Sequence, residues 1–502
     1  MTDTGESEAD PGDADAAAET VVRRDRFAGG PARGFMSSLA ADERIFAADL
    51  AVDRAHTVML AERGIVGDDE AAEILSGLAT VEDAGHGALP DGEDVHEAIE
   101  SAVVAEVGPV GGKMHTARSR NDEVATCIRY RYREDLLDAA EATLALREAL
   151  LAAAAEHADT VMPGFTHRQY AQPVTVGHFL SSYAGAVERD TARLLAAFDR
   201  TNESPLGGAA FAGTTFDIDR GRTADLLGFD GVVENSTDAA SARDFLVEGT
   251  AALANLTATL SGLSTDLIEH STDGYFRPAD DYASTSSIMP QKVNPDTLEL
   301  ARAVAGDVSG DLTGLLTTLK GLPRAYNRDL QRATTHAWEA VDDAAEATEV
   351  VAGAVATGDW DAEACAADAG AGFSTATGVA DALAAAGIPF RTAHEIVADA
   401  AATAADDADS EALAANLDAA AQEVLGESLY EHVSREDLDA ALDPAGSVAS
   451  RASRGGPASD AVTDSLARMT ETYDDHEAAV DARRDALAVA ETDLTDAVES
   501  YT

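Results

Sequence analysis

Between Pro290 and Pro295 stand Lys292 and Asn294, at the end of a run of hydroxyls formed by Ser284, Thr285, Ser286 and Ser287. Small hydroxyl residues suit a loop that must close over a ligand and release it again. Asn294, Pro295 and Asp296 read as a helix start, with Asn294 as the cap and Pro295 in the first turn, where its missing N–H costs nothing. A helix N-terminus adds its dipole to the Lys292 charge, and together they would hold an anion. An ordinary capped helix behind a polar loop is the plain alternative for Asn294.

Other stretches carry groups of the same kind. Residues 111–122, GGKMHTARSRND, gather Lys113, His115, Arg118 and Arg120 behind a glycine turn, a counter-charge for a multiply anionic substrate or, more plainly, a basic surface patch. Residues 92–100, GEDVHEAIE, set His96 and Glu100 at i and i+4, so that a carboxylate could hold the imidazole. A surface helix pair is the favoured reading of that spacing. Residues 162–173, MPGFTHRQYAQP, put Thr166 and His167 in a connection stiffened by prolines. A lone histidine is more often structural than catalytic. Ser38 alone reads as a helix cap. Residues 205–219 are glycine-rich but lack a phosphate-loop lysine, which argues against a nucleotide site. No GxSxG elbow surrounds Ser286, which disfavours a hydrolase triad with His167.

Long helices must position these groups. Leu137, Leu144 and Leu151 repeat by seven, and Val176, Leu180, Tyr183, Val187 and Leu194 continue at helical spacing. Leu246, Leu253, Leu256, Leu260, Leu263 and Leu267 are clearer still, as are Leu298, Ala301, Ala305, Val308, Leu312, Leu315 and Leu319. A fifth stripe runs through Trp338, Val341, Ala345, Ala352 and Val355. Five helices of about 20 residues or more exceed the usual length of about 11 to 12. They should pack as a long bundle and need partners from further chains.

The 502 residues include 92 acidic and 35 basic ones, a formal charge of −57 that argues against nucleic acid and anionic membrane as partners. Disorder is excluded for the chain as a whole, because 45% of it is hydrophobic. Adaptation to high salt is the better reading, since cations screen the self-repulsion. Lys113, Lys292 and Lys320 are the only lysines, so nearly all positive charge is arginine. Cys127 and Cys365 show no zinc spacing and fit a reducing, cytoplasmic setting. No apolar stretch is long enough to span a membrane, and none reads as a secretion signal.

The stretch at 283–300, ASTSSIMPQKVNPDTLEL, resembles the SSxMPxKxNP motif of the fumarase, aspartase and argininosuccinate lyase superfamily, and its DTLEL extension points to the argininosuccinate lyase family. HTARSRND, MPGFTHRQYAQP, KGLPRAYNRDLQ at 320–331, FRTAHEIV at 390–397 and LDPAGSVASRASRGGP at 442–457 are similar to further motifs of that family. Thr285 stands where the family has glycine, Arg168 where it has leucine, and Thr334 where a lysine is expected, with Arg332 a candidate replacement.

This resemblance implies a mostly α-helical protein of three domains, with a long central bundle that assembles into a multi-helix tetramer core. The expected divisions are a disordered acidic tail at 1–20, an N-terminal helical domain at 21–121, the central bundle at 122–358 and a small C-terminal helical domain with a final helix at 359–502. It implies reversible cleavage of argininosuccinate to arginine and fumarate, with no metal and no cofactor, at sites shared within a homotetramer. Breaking a C–N bond beta to a carboxylate needs a base, a sink for negative charge and an acid for the leaving nitrogen. By analogy Ser286 is the base, Lys292 and Asn294 the sink, and His167 the acid, tuned by Glu299; the reverse assignment of Ser286 and His167 stays open. Substrate binding falls to Ser38, Ser119, Arg120, Asn121, Thr166, Asn294, Tyr326 and Gln331. Adenylosuccinate lyase, aspartase and a non-catalytic structural relative are the alternatives, and the two stretches at 320–331 and 442–457 argue against the first two.

Overall fold

The computed structural model describes residues 31–405 and 409–502. The tail expected at 1–20, and Arg26, Phe27, Gly29 and Gly30 of the turn-rich segment, lie outside them. After a short helix at Pro31–Met36 come α1 (Phe46–Glu62), α2 (Asp68–Ala84) and α3 (Val95–Val107). Five long ones follow, as the leucine spacing predicts: α4 (Arg120–Glu156), α5 (Val176–Thr201), α6 (Asp244–Asp273), α7 (Asp296–Leu319) and α8 (Leu330–Thr357). Helices α9 (Ala376–Ala385), α10 (Phe390–Thr403), α11 (Ser410–Leu425) and α12 (Arg435–Leu442) are shorter. The last, α13 (Ser459–Glu499), has 41 residues.

Local chemistry fixes where the long helices start. Ser119 caps α4 through the amide of Asn121, while the Asp122 carboxylate reaches back to the Ser119 amide at 2.9 Å, a reciprocal arrangement that satisfies two donors. Thr175 caps α5 by accepting from the His178 amide at 3.0 Å. The expected cap at Asn294 is not formed. Asn294 pairs with Ser284 in a two-stranded ladder, and Pro295 takes the cap position of α7 without a side-chain bond. Strand pairing has claimed the asparagine.

Helix α4 packs against α5 and α8, and α7 packs against α6 and α8. All six leucines of the α6 stripe are buried, each contributing about 1.5–3 kcal/mol. On α8 the buried stripe is Ala333, Ala337, Ala340, Ala344 and Ala347, whose small side chains let the neighbouring backbones approach. Helix α7 differs. Leu298, Ala301, Val308 and Leu315 are buried, but Leu300 and Leu316 on its other side stand exposed with Ala303, Gly306 and Gly310. A second core joins α1, α2 and α3, and a third joins α9 to α12. Helix α13 runs back along the bundle, giving Val462, Leu466 and Val480 to the bundle core and Leu494 to the N-terminal one.

The proline-bounded connection before α5 is a β-hairpin, β1 (Val161–Thr166) with β2 (Gln169–Thr175). Phe165 lies opposite Tyr170 and Thr166 opposite Gln169, leaving His167 and Arg168 as the two tip residues. Gly164 sits in the irregular stretch between them, where an added Cβ would collide with the Gln172 carbonyl. A second small ladder, β3 (Ser284–Thr285) with β4 (Val293–Asn294), closes the loop that carries Ser286 and Lys292.

Candidate active site

The motif residues occupy three places in one chain. The first is a cleft of about 860 Å³, lined among others by Ser38, Arg120, Asn121, Tyr326 and Gln331. Ser38 donates to Asp42 at 2.7 Å, and the same carboxylate oxygen accepts from the Val95 amide at 3.2 Å. Arg120, in the first turn of α4, lies 3.3 Å from Asp94 and 3.6 Å from Glu97. Asn121 donates to the Ala210 carbonyl and Gln331 to the Met36 carbonyl. Ser119 does not line the cleft; its oxygen is engaged in capping α4. Arg332 and Thr334, at the positions where the sequence departs from the family pattern, are both on the cleft wall.

The second place is the β3–β4 loop. The Ser286 oxygen accepts from the amides of Ile288 at 3.3 Å and Met289 at 3.0 Å, and the Ser286 amide donates to the Lys292 carbonyl at 3.3 Å. Two N–H groups on one hydroxyl oxygen favour its ionised form. Nothing in the residue spacing announced these amides. The Lys292 and Glu299 side chains are exposed, Asn294 is half-buried, and Ile288 and Met289 expose apolar surface at the tip.

The third place is the hairpin tip with Thr166 and His167. His167 and Arg168 have φ of 52° and 58°, a left-handed conformation that non-glycine residues adopt at some cost. Among the described residues His167 makes no hydrogen bond or ion pair with Glu299 of the same chain. Neither His167 nor Ser286 lines the cleft that holds Arg120.

Charge behind the cleft is arranged differently from the sequence expectation. Of the four basic residues at 113–120, only Arg120 faces the cleft. Arg118 is buried and pairs with Asp53 at 2.5 Å and Glu123 at 3.0 Å, and Lys113 is tied to Glu70. His115 is uncharged at neutral pH, because burial and then Arg118 and Arg120 push its pKa down to about 4. Backbone direction explains the split: Arg118 precedes the extended cap residue and turns inward, whereas Arg120 opens the helix. His96 is not on the surface and does not pair with Glu100. Its Nδ1 lies 2.8 Å from Asp49 and 3.8 Å from Glu123, all three buried. Burial alone would depress the His96 pKa, but Asp49 and Glu123 outweigh it and raise it to about 10. The cleft wall also holds Arg243 and Arg328, two cations that the sequence reading did not assign. Arg243 had no signal beyond its place in a polar connection, and Arg328 pairs with Glu93.

Relatives match this chain along most of its length. Residues 34–310 match the family described as Lyase, and residues 373–449 match the argininosuccinate lyase C-terminal family. The argininosuccinate lyase of Natronomonas pharaonis is 64% identical over 490 residues, with 98% of each chain covered. That of Haloarcula marismortui is 60% identical, covering 96% of this chain and 97% of the other. The chain belongs to the argininosuccinate lyase family. An EDDS lyase crystallised with formate superposes with a TM-score of 0.84 at 34% identity, over 94% of this chain and 96% of that one. The C-terminal match includes the FRTAHEIV stretch and the first residues of the 442–457 stretch, which separates this lyase from the adenylosuccinate lyase and aspartase alternatives.

The buried His96 gives this lyase a pH signature. A histidine whose pKa is raised on folding stabilises the fold fully below its ordinary value of 6.5, and that stability is lost as pH rises through about 10. His96→Gln should therefore lower the melting temperature most below pH 6.5 and progressively less towards pH 10. A melting difference between the two chains that stays constant across that range would contradict the assignment.

Proposed function

We propose that the chain cleaves argininosuccinate to arginine and fumarate at sites shared between the subunits of a cytoplasmic homotetramer. The observation that carries this reading is the distribution of the motif residues. One chain holds a cationic substrate cleft, a Ser286–Lys292 loop and a His167 tip, each incomplete by itself. The exposed side of α7, with Leu300 71% exposed amid small residues, supports association through the bundle. The unpaired buried cysteines Cys127 and Cys365 fit a reducing compartment. Among the described residues no helix is long and apolar enough to cross a membrane.

In the cleft, Arg120, beside the amides at the start of α4, engages the dicarboxylate half of the substrate, with Ser38, Asn121, Tyr326 and Gln331 around it. The Ser286 oxygen, stabilised as an oxyanion by two amides, takes the proton from the carbon beta to the leaving nitrogen. Electrons from the broken C–H bond move into the adjoining carboxylate, where Lys292 and Asn294 balance the added charge. His167, oriented by Glu299 of a neighbouring subunit, donates a proton to the guanidinium nitrogen as the electron pair returns from the carboxylate to form the C=C bond and the C–N bond breaks. Fumarate and arginine result. The test is fumarate release from argininosuccinate, followed by ultraviolet absorbance; absence of release by an intact tetramer would overturn the reading.

The surface charge sets the conditions. With a formal charge of −57, like charges oppose both compaction and association unless they are screened. We expect oligomer and activity to be lost together below molar salt. Full activity in dilute buffer with an unchanged sedimentation profile would contradict this.

A further inference from the structure

A cavity of about 510 Å³ lies between the β1–β2 hairpin and the last turns of α6, outside the substrate cleft. Phe165, Tyr170 and Phe179 give it aromatic walls, and Asp266, Glu269 and Asp273 give it carboxylates. The three acids sit at i, i+3 and i+7, on one face of α6. Asp266 accepts from the Tyr183 hydroxyl at 2.5 Å and Glu269 pairs with Arg168, whereas Asp273 has no ion-pair partner among the described residues.

His270 is the most buried of the cavity's polar residues. It is 7% exposed, its ring lies 5.0 Å from Phe179 and 5.6 Å from Trp360, and its buried Nδ1 has no hydrogen-bond partner. Burial lowers its pKa, with Asp266 and Asp273 only partly opposing, so the imidazole is neutral at pH 7. Carboxylates, aromatic faces and a neutral imidazole suit one ligand class in common, a flat delocalised cation. A guanidinium donates to carboxylates in pairs and stacks on rings.

Arg168 already places such a group on Glu269. It directly follows His167, and both hold the costly left-handed conformation at the tip. The Arg168–Glu269 pair is largely exposed and therefore weak, so a second guanidinium can compete with it. We propose that this cavity binds a guanidinium-bearing small molecule, which displaces Arg168 from Glu269 and loosens the hairpin tip that presents His167. Arginine carries the required group, so accumulation of product would slow turnover. The effect on turnover rests on His167 being the catalytic acid, whereas binding does not.

Trp360 reports on the cavity, because it packs against both His270 and Phe179. Trp338, the other of the chain's two tryptophans, lines the substrate cleft and is removed by Trp338→Phe. The probe is n-butylguanidinium, which lacks the carboxylates that the cleft arginines would grip. At constant ionic strength it should change Trp360 fluorescence saturably, with n-butylammonium weaker, and lower kcat about fivefold with little change in KM. The double variant Glu269→Gln with Asp273→Asn should abolish both effects. Should Trp338→Phe fail to fold, saturation-transfer NMR of the probe on the wild-type chain reads binding directly. Absence of saturable binding, or binding that the double variant retains, overturns the site. Binding with unchanged turnover overturns the control of His167, and a chain inactive on argininosuccinate that still binds the probe overturns the proposed reaction and not the cavity.

Discussion

Lys292→Ala is expected to lower kcat by at least about a hundredfold, the usual effect of removing a charge-stabilising group from a transition state. The three lysines differ in what they already do. Lys113 is tied to Glu70, and the Lys320 ammonium donates to the Thr317 carbonyl at 3.1 Å. Lys292 has no ion-pair partner among the described residues and stands exposed on the β3–β4 loop, where its backbone carbonyl also receives the Ser286 amide. Its charge is therefore free for the substrate. Because the extra negative charge exists only after the C–H bond breaks, the loss should fall on kcat far more than on KM. Lys320→Ala is the control and should change turnover little. Steady-state fumarate release from both variants decides the matter, and equal small effects would show that the loop does not carry the charge sink.

Patterns local to a helix were legible in the sequence; contacts between distant segments were not. The α6 leucines are buried as their spacing requires, since the period of a helix is written in a single stretch. Along α7 the same logic gave the right stripe, although Ala305, Leu312 and Leu319 remain half-exposed for want of a facing helix in this chain. His96 shows the limit. Its i+4 neighbour Glu100 was the visible partner, but Asp49, 47 positions away in sequence, holds the imidazole. The hairpin was hidden for another reason: a two-residue tip usually announces itself by Asn-Gly or Asp-Gly, and His167-Arg168 is neither. Asn294 carried a real cap signal that a ladder partner ten residues earlier overrode. The motif residues were found because they resemble a family; their separation into different connections was expected from the order of the long helices, but their hydrogen-bond partners came only with the fold.

Mixing two inactive variants should restore activity. Ser286→Ala removes the proposed base and His167→Asn the proposed acid, so each tetramer alone is expected to be inactive. Ser286 and His167 lie on separate elements, β3–β4 and β1–β2, and neither lines the cleft around Arg120 in the same chain. On the proposed reading a working site takes segments from more than one subunit, which a symmetric assembly would supply. In a tetramer refolded from equal amounts of both variants, each site has about one chance in two of an intact Ser286 and, independently, of an intact His167. About one quarter of the sites should then be whole. The two chains are unfolded together, refolded in high salt to keep the acidic surfaces screened, and assayed for fumarate release. Recovery near a quarter of wild-type activity is the expected result. No recovery, with mixed tetramers demonstrated by differential tagging, would mean that both residues act within one subunit or that one of them has been assigned the wrong role.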